Sequence, residues 1–121
     1  MSGTQTKWPT EIRLNPAKNE LNITFDGGEA YRYSAEYLRV HSPSAEVVGH
    51  GAEERKILGG KSGVIITAVE PTGNYAIRLT FSDGHSTGIY SWPYLYEIGK
   101  DQEALWRQYL ADLKARGLRR D

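Results

Sequence analysis

Three features of the sequence predict a small single domain of the α+β class built on antiparallel sheet. Apolar residues alternate at a two-residue period, glycine-containing turns join neighbouring alternating segments, and one unit occurs twice along the chain. The 121 residues suit one core, so the whole chain, 1–121, reads as one domain. Residues 1–8 and 117–121 read as flexible tails.

Ile12 and Leu14 form a short alternating segment ended by Asn15-Pro16. Leu21, Ile23 and Phe25 alternate with Asn22 and Thr24, the pattern of a half-buried strand. Asp26-Gly27-Gly28 supplies a tight turn, and Tyr31-Arg32-Tyr33 returns as the partner strand. Ser34 is placed to cap a short helix over 35–40, which Pro43 stops. Residues 49–63, with five glycines and a charged centre, show neither period and read as a mobile loop. Val64–Val69 is apolar on both faces and therefore reads as a central strand. After the turn at 71–74, Ile77, Leu79 and Phe81 share one face. Asp83-Gly84 then turns into Gly88-Ile89-Tyr90. Ser91 caps a second helix with Pro93 in its first turn, where no helical hydrogen bond is lost. Asp101 is placed to cap the last helix. Leu105, Tyr109 and Leu113 form its stripe, Trp106 and Leu110 widen it, and Gly117 ends it.

The repeat aligns Thr24-Phe25 with Thr80-Phe81, with Ser82 as an extra residue in the second copy. Asp26-Gly27 then falls on Asp83-Gly84, Tyr33-Ser34 on Tyr90-Ser91, and Tyr37-Leu38 on Tyr94-Leu95. Two strand–strand–strand–helix units follow from this, with the C-terminal helix covering remaining apolar surface. A site is expected where the copies differ, and in this alignment His85 stands where the first copy has Gly28.

Composition removes several function classes. Without cysteine there are no disulfides, thiolate zinc sites, cysteine-ligated clusters or cysteine nucleophiles. Fifteen basic residues balance fifteen acidic ones, which argues against a bulk electrostatic grip on nucleic acid or an anionic membrane. No apolar run reaches membrane-spanning length and the first ten residues lack a signal-like stretch, so a cytoplasmic location is expected. Arg116, Arg119 and Arg120 read as cations favoured at a helix C-terminus, with a phosphate or partner contact as the alternative.

No catalytic constellation emerges from motif spacing. Gly60-Lys61-Ser62 resembles the end of a phosphate-binding loop, but Arg55 occupies the required upstream glycine position and a strand follows. His41, His50 and His85 offer an alternative metal set, although none has metal-site spacing. Tyr90, Trp92, Tyr94 and Tyr96 form a dense aromatic stretch, suited to core packing or to an interaction surface.

The strings AEYLRVHSPSAEVVGHG and VEPTGNYAIRLTFSDGHSTGIYSWPYLYEIG resemble the bacterial DUF971 family, also called the gamma-butyrobetaine hydroxylase-like N-terminal domain. The resemblance runs from about Pro9 to Gln108. It implies a domain also found in gamma-butyrobetaine and trimethyllysine dioxygenases, and in chloroplast P-loop ATPases with iron–sulfur clusters. In the dioxygenases the domain holds zinc through three cysteines and one histidine. Those positions fall here on Ser42, Ser44, Val47 and His85, so three ligands are lost and no cofactor is expected. His85 is expected instead to hydrogen-bond to the Ser42–Ser44 segment. The dioxygenase iron triad lies in a separate jelly-roll domain that this chain has no room for, so catalysis does not transfer with the fold. The resulting expectation is a non-catalytic cytoplasmic binding or adaptor module with an unidentified protein partner. Its rival is a metal-binding or auxiliary domain associated with oxidoreductase or iron–sulfur systems.

Overall fold

The computed structural model describes residues 7–43 and 57–121. Strands β1 (Pro9–Leu14), β2 (Glu20–Phe25) and β3 (Ala30–Ser34) form one antiparallel sheet in that order, followed by helix α1 (Ala35–Val40). Strands β4 (Ile66–Thr72), β5 (Ala76–Phe81) and β6 (Gly88–Ser91) form a second, followed by helix α2 (Trp92–Lys100). Helix α3 (Gln102–Ala115) completes the α+β fold. Alternation puts Leu21, Ile23 and Phe25 of β2 in one buried cluster with Ile77, Leu79 and Phe81 of β5. The two central strands therefore supply the middle of the core. Among the described residues no helix is long and apolar enough to cross a membrane.

The duplication extends further upstream than the aligned identities. Both first strands carry a register shift at their start, between Pro9 and Glu11 and between Ile66 and Ala68. Thr10 Oγ1 donates to the Thr24 carbonyl at 3.2 Å, and Thr67 Oγ1 to the Thr80 carbonyl at 3.2 Å. Ser34 and Ser91 both cap, accepting from the amides of Tyr37 at 3.0 Å and Tyr94 at 3.3 Å.

The two units are joined by reciprocal bonds. Tyr33 Oη donates to the Leu95 carbonyl at 2.6 Å, while its counterpart Tyr90 donates to the carbonyl of Leu38, the counterpart of Leu95. Tyr37 Oη likewise donates to the Ile98 carbonyl at 2.6 Å, and Tyr94 to that of His41. Each unit thus ties down the helix of the other. Burial pushes the Tyr33, Tyr37 and Tyr90 hydroxyls above their ordinary range, so they stay protonated and able to donate.

Four expectations need correction. The extra residue of the second unit is not Ser82. Gly28 and Gly84 occupy the same turn position, with φ of 96° and 93°, and donate to the carbonyls of Phe25 and Phe81. The amides of Phe25 and Phe81 in turn donate to the carbonyls of Glu29 and His85. His85 is therefore the counterpart of Glu29, and the insertion follows it. The positive φ, which only glycine adopts without strain, sets the turn rather than the Asp-Gly identity. The strand expected at Val64–Val69 as a central one runs instead from Ile66 to Thr72 at the sheet edge. It contains Pro71, and proline, lacking an amide donor, is confined to such edges. Asp101 occupies the cap position of α3 but makes no side-chain capping bond, because α2 runs almost directly into α3. Leu110 does not widen the buried stripe; it lies 39% exposed.

The end of the chain folds back on the connecting segment. Gly117, at φ 69°, donates to the Lys114 carbonyl, and the Leu118 amide to that of Leu113, the paired bonds of a Schellman end. Beyond it the amides of Gly60 and Ser62 donate to the carbonyls of Arg119 and Arg120 at 2.8 and 2.9 Å. The described part of the 49–63 loop is thus stitched to the C-terminus, while residues 49–56 lie outside the described residues.

Candidate functional site

Two copies of one unit give two equivalent ends, each combining a hairpin turn with the helix docked beside it. They are filled by opposite chemistry. At the first, Phe25, Tyr31 and Tyr96 pack in mutual contact, with ring centroids 5.3 to 6.1 Å apart. Tyr31 presses on Gly99, where an added Cβ would stand 2.6 Å from its Cδ2. Tyr96 Oη donates to Glu29 Oε2 at 3.1 Å. This end is an aromatic plug.

At the second end the counterparts of Tyr31, Gly99, Tyr96 and Glu29 are Gly88, Ser42, Arg39 and His85. The large–small packing is reversed. Gly88 leaves room for Ser42, whose Oγ would lie only 2.3 Å from a Cβ at position 88. Ser42 Oγ and His85 Nε2 are 2.9 Å apart, the bond expected between His85 and this segment. The His85 amide donates to Asp83 Oδ1 at 3.1 Å. Asp83 Oδ2 accepts from Arg39 Nε at 2.8 Å and Lys61 Nζ at 2.6 Å. Burial alone would raise the Asp83 carboxyl, but the hydrogen bonds from Lys61, the His85 amide and Arg39, with the charge of Arg39, hold it well below the usual carboxylate range. Arg39 from α1 thereby clamps the turn of the second unit, and Lys61 brings the connecting segment to the same carboxylate. In place of phosphate binding, the Gly60-Lys61-Ser62 sequence supplies this ion pair and the amides that hold the tail.

The remaining expected site residues are dispersed. Ser44, Val47 and His50 lie outside the described residues. His41 Nδ1 lies 3.0 Å from the Tyr37 carbonyl, and its ring packs against Tyr37 and Tyr109. Among the described residues no group of three or more histidine, cysteine, aspartate or glutamate side chains is placed to hold a metal. A zinc ion of the kind implied by the family does not fit the described positions. Ser42 offers a hydroxyl that stays protonated near neutral pH, and the His85 nitrogen facing it is engaged by that hydroxyl. The aromatic stretch does not form one exposed face either. Tyr90 and Trp92 are buried, and Tyr94 and Tyr96 are half-buried. Their polar atoms go to the carbonyls of Leu38, Asn74 and His41 and to the Glu29 carboxylate, because amphipathic rings at a core edge satisfy themselves on nearby backbone and side chains.

Arg39, Asp83 and Gly88 belong to no chemical motif of their own, and the motif that contains Lys61, Gly60-Lys61-Ser62, points to phosphate rather than to Asp83. The signal for Gly88 was present in the duplication, since it faces Tyr31 across the aligned units. The ion pairs at Asp83 join residues 44 and 22 positions apart and carry no local pattern.

Comparison with known proteins places these features in a family context. Residues 12–96 match the family model described as gamma-butyrobetaine hydroxylase-like, N-terminal. Two solution NMR structures are each 43% identical to the chain. One has a TM-score of 0.85, covering 97% of this chain and 92% of that one, and the other 0.83, covering 99% and 89%. A crystal structure of a protein of unknown function from Acidithiobacillus ferrooxidans ATCC 23270, of the DUF971 family, is 36% identical with a TM-score of 0.63. It covers 75% of this chain and 91% of that one. No curated protein matches the chain.

Proposed function

The chain belongs to the gamma-butyrobetaine hydroxylase-like N-terminal (DUF971) family, and from that premise we propose that it is a cytoplasmic, non-catalytic binding or adaptor module acting through contacts with another protein. The observation that supports this reading lies away from the polar end. Leu110 and Leu118 stand together at the surface of α3 and the tied-back tail, 39% and 40% exposed, lining a groove with Leu113. Single exposed leucines need no explanation, but two side by side in a shallow hollow form an apolar spot that a protein contact would cover. At the polar end, by contrast, Ser42, Arg39, Lys61 and Asp83 bond to one another and to His85, which suits them to hold the two units in register.

The test is the state of the protein in its own cells. Crosslinking followed by size analysis is expected to find it in a defined complex with one other protein. Recovery of the 13.6 kDa chain alone at cellular concentration overturns the reading. Elemental analysis of protein purified without a histidine tag addresses the rival. One equivalent of tightly held zinc or iron would replace the adaptor reading with a metal-binding one.

A further inference from the structure

We propose that Glu36 and Trp106 form a binding site for a guanidinium group, which Arg120 fills from within the chain as an internal ligand. The external ligand that competes with it is an arginine on an extended segment of another protein. The site rests on the protein-contact reading above only for that source of the arginine.

The receptor half is built into the core. Glu36, on α1, is the one buried charged residue among those described, and its side chain is only 6% exposed. A single group bonds both of its oxygens: Arg120 Nε donates to Oε2 at 3.0 Å and Nη2 to Oε1 at 2.8 Å. This two-point fork is a geometry that a guanidinium makes and an ammonium does not. Trp106, on α3, supplies the second wall, with its ring centre 5.3 Å from the guanidinium carbon. That ring packs in turn against the buried rings of Tyr109 and Tyr37, at centroid distances of 5.2 and 6.2 Å. Carboxylate and ring are thus both positioned by elements other than the segment that brings the cation.

The ligand half is held differently. Arg120 lies beyond Gly117, where α3 has ended and φ is 69°, and half of its side chain is in water. Residues 116–121 are all exposed, so the segment buries no apolar anchor of its own. Past the helix end it is fixed by the fork on Glu36 and by the Gly60 and Ser62 amides, which donate to the Arg119 and Arg120 carbonyls. The conformational entropy of ordering these residues offsets much of that hold. Glu36 cannot follow the segment into water, and a buried carboxylate without its cation is strongly unfavourable. Departure of Arg120 is therefore coupled to entry of another cation, and the fork and flat ring select a guanidinium. The Gly60 and Ser62 amides, released at the same moment, are free to receive the backbone of the incoming segment.

Arg120→Ala in the full chain empties the site, and L-arginine amide is the probe, titrated while the Trp106 indole NMR signal is followed. Saturable binding to Arg120→Ala is expected. Binding to the wild type should be weaker by about tenfold, as when an internal ligand fills about nine-tenths of the sites. Lysine amide should bind Arg120→Ala about fivefold less tightly than arginine amide, and neutral citrulline amide should not bind. Adding Glu36→Gln to Arg120→Ala should abolish the response. Circular dichroism checks folding, and if Arg120→Ala does not fold, Arg120→Lys, which keeps a cation on Glu36 without the fork, takes its place in the same comparisons. No saturable shift, equal affinity for wild type and variant, or equal affinity for arginine amide and either of the other amides overturns the site. A wild-type dimer that Arg120→Ala dissolves would place a second copy's arginine there and overturn the partner assignment. A failed titration leaves the protein-contact reading to the cellular complex measured above, and the chain recovered alone in cells leaves the guanidinium site to the titration.

Discussion

Removing one hydroxyl from each of the reciprocal tyrosines should have unequal effects, although the two bonds look alike. Tyr33 and Tyr90 are both fully buried, and each donates to the carbonyl of a fully buried leucine in the other unit's helix. The acceptors differ in their other partners. The Leu95 carbonyl lies inside α2, where α-helix geometry also offers it the Gly99 amide. The Leu38 carbonyl lies in the last turn of a six-residue helix, and the amide four residues on, Ser42, donates to Arg39 instead. Tyr33→Phe therefore removes one of two bonds to its acceptor and should cost about 1 kcal/mol. Tyr90→Phe strips a buried carbonyl of its described donor and should cost about 2–3 kcal/mol. Urea unfolding followed by tryptophan fluorescence measures both. The double variant should lose about the sum if the two bonds act independently. Equal costs, or a larger cost for Tyr33→Phe, would refute the claim that the unpaired carbonyl decides the magnitude.

Three further outcomes follow from the unequal ends. Gly88→Ala should displace Ser42 from His85 and cost about 1–3 kcal/mol by overpacking; an unchanged unfolding midpoint and unchanged His85 imidazole NMR signals would contradict this. Because the folded Asp83 carboxyl titrates below its unfolded value of about 4, its contribution is complete above that pH and is lost as pH falls toward the folded value. Asp83→Asn should accordingly lower stability at neutral pH and flatten its decline below about pH 4, and an acid limb of unchanged slope on a stability–pH titration counts against the clamp. Glu36→Gln should loosen the Arg120 anchor and raise hydrogen exchange at the Gly60 and Ser62 amides, whereas unchanged protection would show that the tail holds without it.

Much of the fold was legible because its signals are local. The alternation of Leu21, Ile23 and Phe25, the serine caps at 34 and 91 and the glycine at 117 each act within a few residues, and each appears where the pattern puts it. The edge position of β4 is masked because Val64–Val69 is apolar on both faces, and the signal that marks the edge is Pro71, two residues further on. The site was less legible. Its defining contacts, Ser42 to His85 and Arg39 to Asp83, connect residues more than forty positions apart. The alignment also set His85 against the wrong residue, since identity favoured Asp-Gly on Asp-Gly while the backbone follows the glycine at positive φ. The aromatic stretch could not be sorted into core and surface by composition, because whether a tyrosine faces inward depends on which carbonyl lies within reach of its hydroxyl.

The crossed tyrosine bonds have an evolutionary corollary. A half-length ancestor assembling as a twofold dimer makes each such contact twice, from one set of codons, and every mutation strikes both ends together. Once the two halves are encoded in tandem, that constraint lifts. One end can then hold aromatic rings where the other holds glycine, serine and charge, as these two ends do. Exchanging the side chains of the two ends by mutagenesis would then measure how much of the divergence the framework still tolerates.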